Sequence, residues 1–311
     1  LSRPQHRYTR MLLGAVPALV PRKAPLPAGT AVQLRTRGLT KVFDGGGWFG
    51  RRRRVTAADA VGIDLLRGET LGIVGESGSG KSTVARLLAH LIEPTGGEIE
   101  LDGERVAHLR GNAARRFRQK VQIVFQDPYR SLNPRRAVGA AGAEGPLAFG
   151  AGRKAAWRRA GELMELVKLS PAALQRYPHE FSGGQRQRIC IARALAVDPE
   201  ILIADEAVSA LDVSVQAEIL KLLDEIQRRL RLTLLFITHD LRVAAQICNR
   251  VVVMRSGRVV EQCPVAEVFE RPRDAYTRAL IDAAPGRGFV FGSAGAQALP
   301  PPSHRRPDEA G

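Results

Sequence analysis

Gly75-Glu76-Ser77-Gly78-Ser79-Gly80-Lys81-Ser82-Thr83 follows a short apolar run, 71–74, and leads into a stretch of helical periodicity, 82–90. The pattern G-x-x-x-x-G-K-[ST] between a strand and a helix predicts a phosphate-binding loop. Glycines let backbone N–H groups turn inward around phosphate oxygens, and the helix N-terminus adds the positive end of its dipole. Lys81 has the reach to meet terminal phosphates, and the Ser82 hydroxyl is a ligand suited to Mg²⁺. An ordinary strand–helix turn is the competing account, but four fixed positions seldom coincide in this context. The motif predicts nucleotide binding and leaves the class of NTPase open.

Four further apolar runs, 121–125, 201–204, 234–237 and 251–254, read as buried strands of a largely parallel sheet. Helical stretches at 187–196 and 213–230 lie between them, so the chain is expected to be α/β. The run 201–204 ends in Asp205-Glu206. An acid at a strand's carboxyl end beside a phosphate loop suits Mg²⁺, and a second one suits an attacking water. Alone, such a pair is equally what a plain strand end looks like. Ser182-Gly183-Gly184-Gln185 opens another helical run and makes a second helix N-terminus fit for an anion.

The 311 residues carry a formal charge of +16 and are 44% hydrophobic, which excludes wholesale disorder. No 18 consecutive residues are apolar, so no single helix is expected to span a bilayer. Cys190, Cys248 and Cys263 lack C-x-x-C spacing. That argues against a disulfide framework or zinc site and for a reducing compartment. Residues 1–60 hold twelve Lys/Arg against two acids, with four arginines at 51–54 beside Trp48 and Phe49. Four arginines fall short of a nucleic-acid footprint, and a solvated loop between strands is expected.

Self-comparison exposes a duplication. Residues 3–17 and 271–285 share eight of fifteen aligned positions, among them Tyr8-Thr9-Arg10 and Tyr276-Thr277-Arg278. Residues 1–17 therefore read as the tail of a preceding module. Residues 18–30 contain three prolines and read as a linker, 31–286 as the globular domain, and 287–311 as a disordered tail.

With these residues in order, the chain resembles the nucleotide-binding subunit of an ABC transporter. The matching elements are the phosphate loop, Gln126, Ser182-Gly183-Gly184-Gln185, Asp205-Glu206, Ser209-Ala210-Leu211-Asp212 and His239. The resemblance covers residues 31–286. It implies a P-loop NTPase fold with a parallel-sheet core, an antiparallel β subdomain and a helical signature subdomain over about 128–195. It implies ATP and Mg²⁺ as cofactors, with Gly75, Glu76, Ser77, Gly78, Ser79, Gly80, Lys81, Ser82 and Thr83 around the phosphates. By the same resemblance Phe43 stacks on adenine, with Trp48 and Phe49 as rivals. Ser82, Gln126 and Asp205 address the metal, while Gln126, Glu206 and His239 serve hydrolysis. Two such domains sandwich each ATP between one phosphate loop and the other's Ser182–Gln185 signature, with Asp212 shaping the water side.

Gln126-Asp127-Pro128-Tyr129-Arg130-Ser131-Leu132-Asn133-Pro134-Arg135, Tyr177-Pro178-His179-Glu180 and the closing Tyr276-Thr277-Arg278 resemble the dipeptide/oligopeptide/nickel importer branch in particular. That implies ATP hydrolysis energising import of peptides or a related small solute such as nickel, from the cytoplasmic face of the membrane. The implied partners are a second ABC ATPase domain (fused upstream or a paralogue), two permease subunits and, indirectly, an extracytoplasmic solute-binding protein. Nucleic acid is not among them. Ala207 and Phe181 depart from the branch pattern, and no cysteine follows Cys263, so an iron–sulfur cluster is not carried over. Residues 137–152 hold five glycines and six alanines, which is expected to weaken the helix that meets a permease.

Overall fold

The computed structural model describes residues 21–45, 53–106 and 108–283. The duplicated element at 3–17, Trp48, Phe49, Arg51, Arg52 and the 287–311 tail lie outside them. The five runs that read as strands in the sequence assemble, with one more strand, into a six-stranded sheet of order β10-β9-β3-β8-β7-β6. Its members are β3 (Thr70–Val74), β6 (Val121–Val124), β7 (Ile201–Asp205), β8 (Thr233–Thr238), β9 (Arg250–Arg255) and β10 (Arg258–Pro264). Neighbours run parallel except β10, which returns antiparallel along β9. β3, β7 and β8 are buried along their whole length, as expected of strands covered on both faces.

Alternate side chains of these strands serve two separate cores. Leu71, Ile73, Ile203, Leu235 and Ile237 face one, together with Val84, Leu87 and Leu88 of α1 (Lys81–Leu88). Val74, Leu202, Ala204, Leu234 and Phe236 face the other. A second, antiparallel sheet of order β2-β1-β4-β5 covers the first core. Its long pair is β1 (Val32–Gly45) with β2 (Arg53–Leu66), followed by β4 (Gly96–Leu101) and β5 (Glu104–Arg105). Helix α2 (Gly111–Lys120) leads into β6.

Between β6 and β7 the chain forms a helical lobe of α3 (Pro128–Ser131), α4 (Val138–Ala148), α5 (Arg153–Leu166) and α6 (Gly183–Leu195). The glycine-rich stretch does not behave as its composition suggests: α4 forms through it, with Pro146 inside. The glycines are where neighbours come close. A Cβ on Gly139 would stand 2.4 Å from Trp157, one on Gly142 3.2 Å from Ala160 Cβ, and one on Gly145 2.8 Å from Val197. Their spacing of three lays a bare strip along one side of α4, so close packing offsets the propensity cost.

The segment read as a linker is pinned at residues 22–24. Arg22 N–H donates to Ala245 O at 3.0 Å, and Asn249 Nδ2 donates to Ala24 O at 2.7 Å. Lys23 Nζ donates to Gln227 Oε1 at 2.6 Å and pairs with Asp224 at 2.8 Å. These partners lie in or just after α7 (Val213–Leu230) and α8 (Leu241–Ile247).

Candidate functional site

In an open parallel sheet, the carboxyl ends of neighbouring strands present their following loops to one crevice. Here β3 delivers the phosphate loop, β6 Gln126, β7 Asp205-Glu206 and β8 His239. The loop turns at Gly80, whose φ of 101° is left-handed and where a Cβ would stand 2.2 Å from Ala57 O. Only glycine fits there. Lys81 is 3% exposed, and its ammonium donates to Gly75 O at 2.8 Å, Glu76 O at 2.7 Å and Ser79 Oγ at 3.3 Å. Burial lowers its pKa, and Glu206, Asp205 and Glu76 oppose that fall.

Ser82 Oγ donates to Asp205 Oδ1 at 2.9 Å, which joins the start of α1 to the end of β7. Burial raises the Asp205 carboxyl above its ordinary value; the Ser82 hydrogen bond pulls it down, and the Glu206 charge pushes it up. Glu206 itself sits at φ 49°, a left-handed conformation that costs a non-glycine residue strain and is found where function fixes a side chain. Its N–H donates to Ile237 O at 3.0 Å, which ties this turn to β8. Its Oε2 lies 3.5 Å from His239 Nδ1.

Gln126 Nε2 donates to Ser209 Oγ at 3.2 Å, and Ser209 Oγ donates to Glu206 O at 3.0 Å. The glutamine is thereby connected to the turn that carries Glu206. Asp127 accepts from Tyr129 N and Arg130 N and caps α3. Phe43 is 42% exposed with Lys41 Nζ 5.2 Å from its ring centroid, so it is a surface aromatic and not a core one.

The signature lies at the head of α6. Helix starts at Gly183, four residues before the stretch whose periodicity marks it, because a capping box closes over both glycines. Gln185 N–H donates to Ser182 Oγ at 3.3 Å, and Ser182 N–H to Gln185 Oε1 at 3.0 Å. A Cβ on Gly184 would stand 2.4 Å from Val215 Cγ1, so α6 packs against the first turn of α7, whose N-cap is the exposed Asp212. Signature and the start of α7 are thus packed together, with Asp212 exposed beside them.

Two residues have no signal in the sequence. Arg186, 8% exposed, donates from Nε to Pro178 O at 2.7 Å and from Nη2 to His179 O at 3.2 Å. Its guanidinium also lies 4.0 Å from the Tyr129 ring, joining the segment after Gln126 to the signature helix. Arg193 Nη1 donates to Ser131 O and strengthens the same join.

A family model described as ABC transporter matches residues 58–209. One described as the oligopeptide/dipeptide transporter C-terminal region matches residues 1–57 and 260–290. The chain is 46% identical over 309 residues to glutathione import ATP-binding protein GsiA of Pectobacterium atrosepticum, covering 91% of this chain and 50% of that relative. It therefore spans half the length of the glutathione-import relatives it matches. Among solved structures, a dimeric post-hydrolysis state of an ATP-binding cassette bound to ADP and Pi is similar, with a TM-score of 0.66 and 29% identity over 75% of this chain and 98% of that one. cbiO1 from Clostridium perfringens, part of a cbiONQ transporter complex, gives 0.66 and 28% over 78% and 92%. A Brucella ovis protein named for peptide import and ATP binding is 48% identical over 253 residues, which cover 81% of this chain and 78% of that relative. Shared sequence on that scale, in a cassette of the same fold, means that this chain belongs to the ABC transporter family, in its oligopeptide/dipeptide branch.

Proposed function

We propose that this chain binds and hydrolyses ATP to energise import of short peptides, glutathione-sized solutes or a related small solute across the cytoplasmic membrane. The observation that carries the reading is the meeting of Lys81, Ser82, Asp205, Glu206 and His239 at adjacent strand ends. Lys81 now occupies its own loop's carbonyls and is free to exchange them for phosphate oxygens, a stronger charge-assisted contact. Glu206 holds or deprotonates the attacking water, and His239 meets the terminal phosphate beside it. The Ser82 hydroxyl and Asp205 carboxylate, already 2.9 Å apart, are the hard oxygen donors that Mg²⁺ takes alongside phosphate oxygens and water, with Gln126 as a further donor. When bound, Mg²⁺ would neutralise charge on the phosphates. Phe43, an exposed aromatic, fits the adenine-stacking role.

The exposed Ser182 at the head of α6 supports a head-to-tail pairing with a second ABC ATPase domain, fused upstream or supplied as a paralogue. Two permease subunits complete the assembly at the cytoplasmic face, with a solute-binding protein acting on their far side. Co-purification with the neighbouring membrane subunits, followed by an ATPase screen with short peptides, glutathione and Ni²⁺, tests the reading. Stimulation by one solute class supports it. ATP turnover that responds to none of them, in an assembly with an intact binding protein, would overturn the import assignment.

A further inference from the structure

Beyond α9 (Val265–Glu270), helix α10 (Ala275–Asp282) is remote in sequence from the phosphate loop, yet Glu76 N–H donates to Tyr276 Oη at 3.1 Å. The tyrosine is held in place from several sides. Asp274 caps α10 by accepting from Tyr276 N at 2.8 Å and Thr277 N at 3.4 Å. The preceding backbone is anchored to β10, where Glu261, 8% exposed, accepts from Arg273 N at 3.0 Å and Asp274 N at 3.2 Å. The Arg255 guanidinium at the end of β9 lies 4.9 Å from the Tyr276 ring centroid.

The Glu76 residue is gripped at both of its backbone groups. Its carbonyl accepts from Lys81 Nζ at 2.7 Å and Ser79 N at 3.2 Å, while its N–H goes to the phenol. A phosphate that draws Lys81 away removes the lysine from that carbonyl and from Gly75 O. The phenol's contact lies on the N–H side, away from the carbonyls that Lys81 would leave. The duplicated element near the start of the chain carries Tyr8 at the matching place.

We propose that Tyr276 is a positioning residue of the phosphate loop, through which the C-terminal region of this branch sets the cassette's affinity for nucleotide. The proposal rests on the ATP-binding reading of the loop given above. It makes the segment matched at 260–290 part of the nucleotide site rather than an appendage.

Tyr276→Phe removes the hydroxyl and keeps the ring over Arg255. On the full chain, ATP and ADP affinity by calorimetry is expected to fall about threefold to tenfold, the scale of one lost hydrogen bond. Hydrogen exchange at the Glu76 amide is expected to quicken in the nucleotide-free protein, with the thermal midpoint unchanged. Wild-type affinity with wild-type exchange would overturn the proposal. So would a lowered midpoint with unchanged affinity, which would make the hydroxyl structural alone. Lys81→Ala run in parallel separates the two levels. If it binds nucleotide as well as wild type, the phosphate-loop reading fails. If it loses binding and Tyr276→Phe does not, only the role of Tyr276 fails.

Discussion

His239 Nδ1 lies 3.5 Å from Glu206 Oε2, and the two side chains come from the ends of adjacent parallel strands, β8 and β7. The Glu206 N–H to Ile237 O hydrogen bond locks those strand ends together just before both residues leave the sheet. The histidine is 55% exposed and the glutamate side chain 16%, so the pair faces the crevice with the carboxylate on the inner side. In the proposed function this is the carboxylate that addresses the attacking water.

Glu206→Gln keeps the shape of this pair and removes the charge. ATP binding should persist, while turnover falls by about two to four orders of magnitude, the usual contribution of general-base catalysis. Steady-state ATPase alongside a binding isotherm checks both halves. Turnover within a few-fold of wild type would remove Glu206 from the reaction.

Lys81→Ala deletes a buried ammonium whose present partners are its own loop's carbonyls. Nucleotide affinity should drop by at least about tenfold, the value of a charge-assisted contact. Calorimetry with ATP measures it directly.

At α4 the two physical effects of adding a methyl group oppose each other. Helix propensity alone would make Gly139→Ala stabilising by about 0.5–1 kcal/mol. The new Cβ would stand 2.4 Å from the Trp157 ring, and overpacking costs about 1–3 kcal/mol. The clash should win, lowering the thermal midpoint. At Gly142, where the clearance is 3.2 Å, Ala should be far milder. Denaturant melts of both variants decide the matter by the sign of their difference.

All three cysteines are buried and free. Burial pushes the Cys190 and Cys263 thiols up to about 11 and raises Cys248 further still. Since the thiolate is the reactive form, native protein at pH 8 should resist iodoacetamide, and all three sites should react in guanidinium. Intact-mass spectra under the two conditions provide the check, and rapid native labelling would contradict the burial.

The placement of the 75–83 loop and of Asp205-Glu206 at strand ends was legible in the sequence because each occupies a few consecutive residues directly after an apolar run. The strands were legible for a similar reason: burial on both faces leaves uninterrupted apolar runs, and all five lie within a residue or two of their expected bounds. Joins across the fold were not. Ser209 meets Gln126, Tyr129 meets Arg186 and Tyr276 meets Glu76 only once the tertiary structure is formed, and no periodicity announces such pairs. The 137–152 stretch misled because propensity speaks for an isolated helix, whereas Trp157, Ala160 and Val197 supply packing that only a glycine face admits. Within the segment read as a linker, the docking of residues 22–24 was not legible either: Lys23 finds Gln227 and Asp224 far along the chain.

If a partner's signature must complete the site, the chain purified alone should be a poor ATPase. Joining a second ABC module upstream should raise turnover per phosphate loop sharply, since a tether supplies an effective concentration near the millimolar range. Rates for residues 18–311 alone and for the fusion, compared at low protein concentration, give the test. Equal rates would show that the isolated chain needs no tethered half.

The placement of β3 has a consequence for how the protein comes into being. Thr70 lies opposite Leu234 on one side, and Leu71 opposite Arg250 on the other, with about half the chain intervening in each case. During synthesis the strand that leads into the phosphate loop is therefore made early and finds both of its neighbours late. Closing so large a loop is entropically slow, and parallel pairing offers no local hairpin to start from. Until β8 and β9 emerge, Leu71, Ile73 and Val74 are apolar surface without their strand partners, the kind of surface that invites aggregation in a nascent chain. The antiparallel pair β1 and β2 has its partners close at hand and is suited to forming first. The proposed nucleotide site draws on β3, made early, and on β7 and β8, made late, so it assembles only after that sheet has closed.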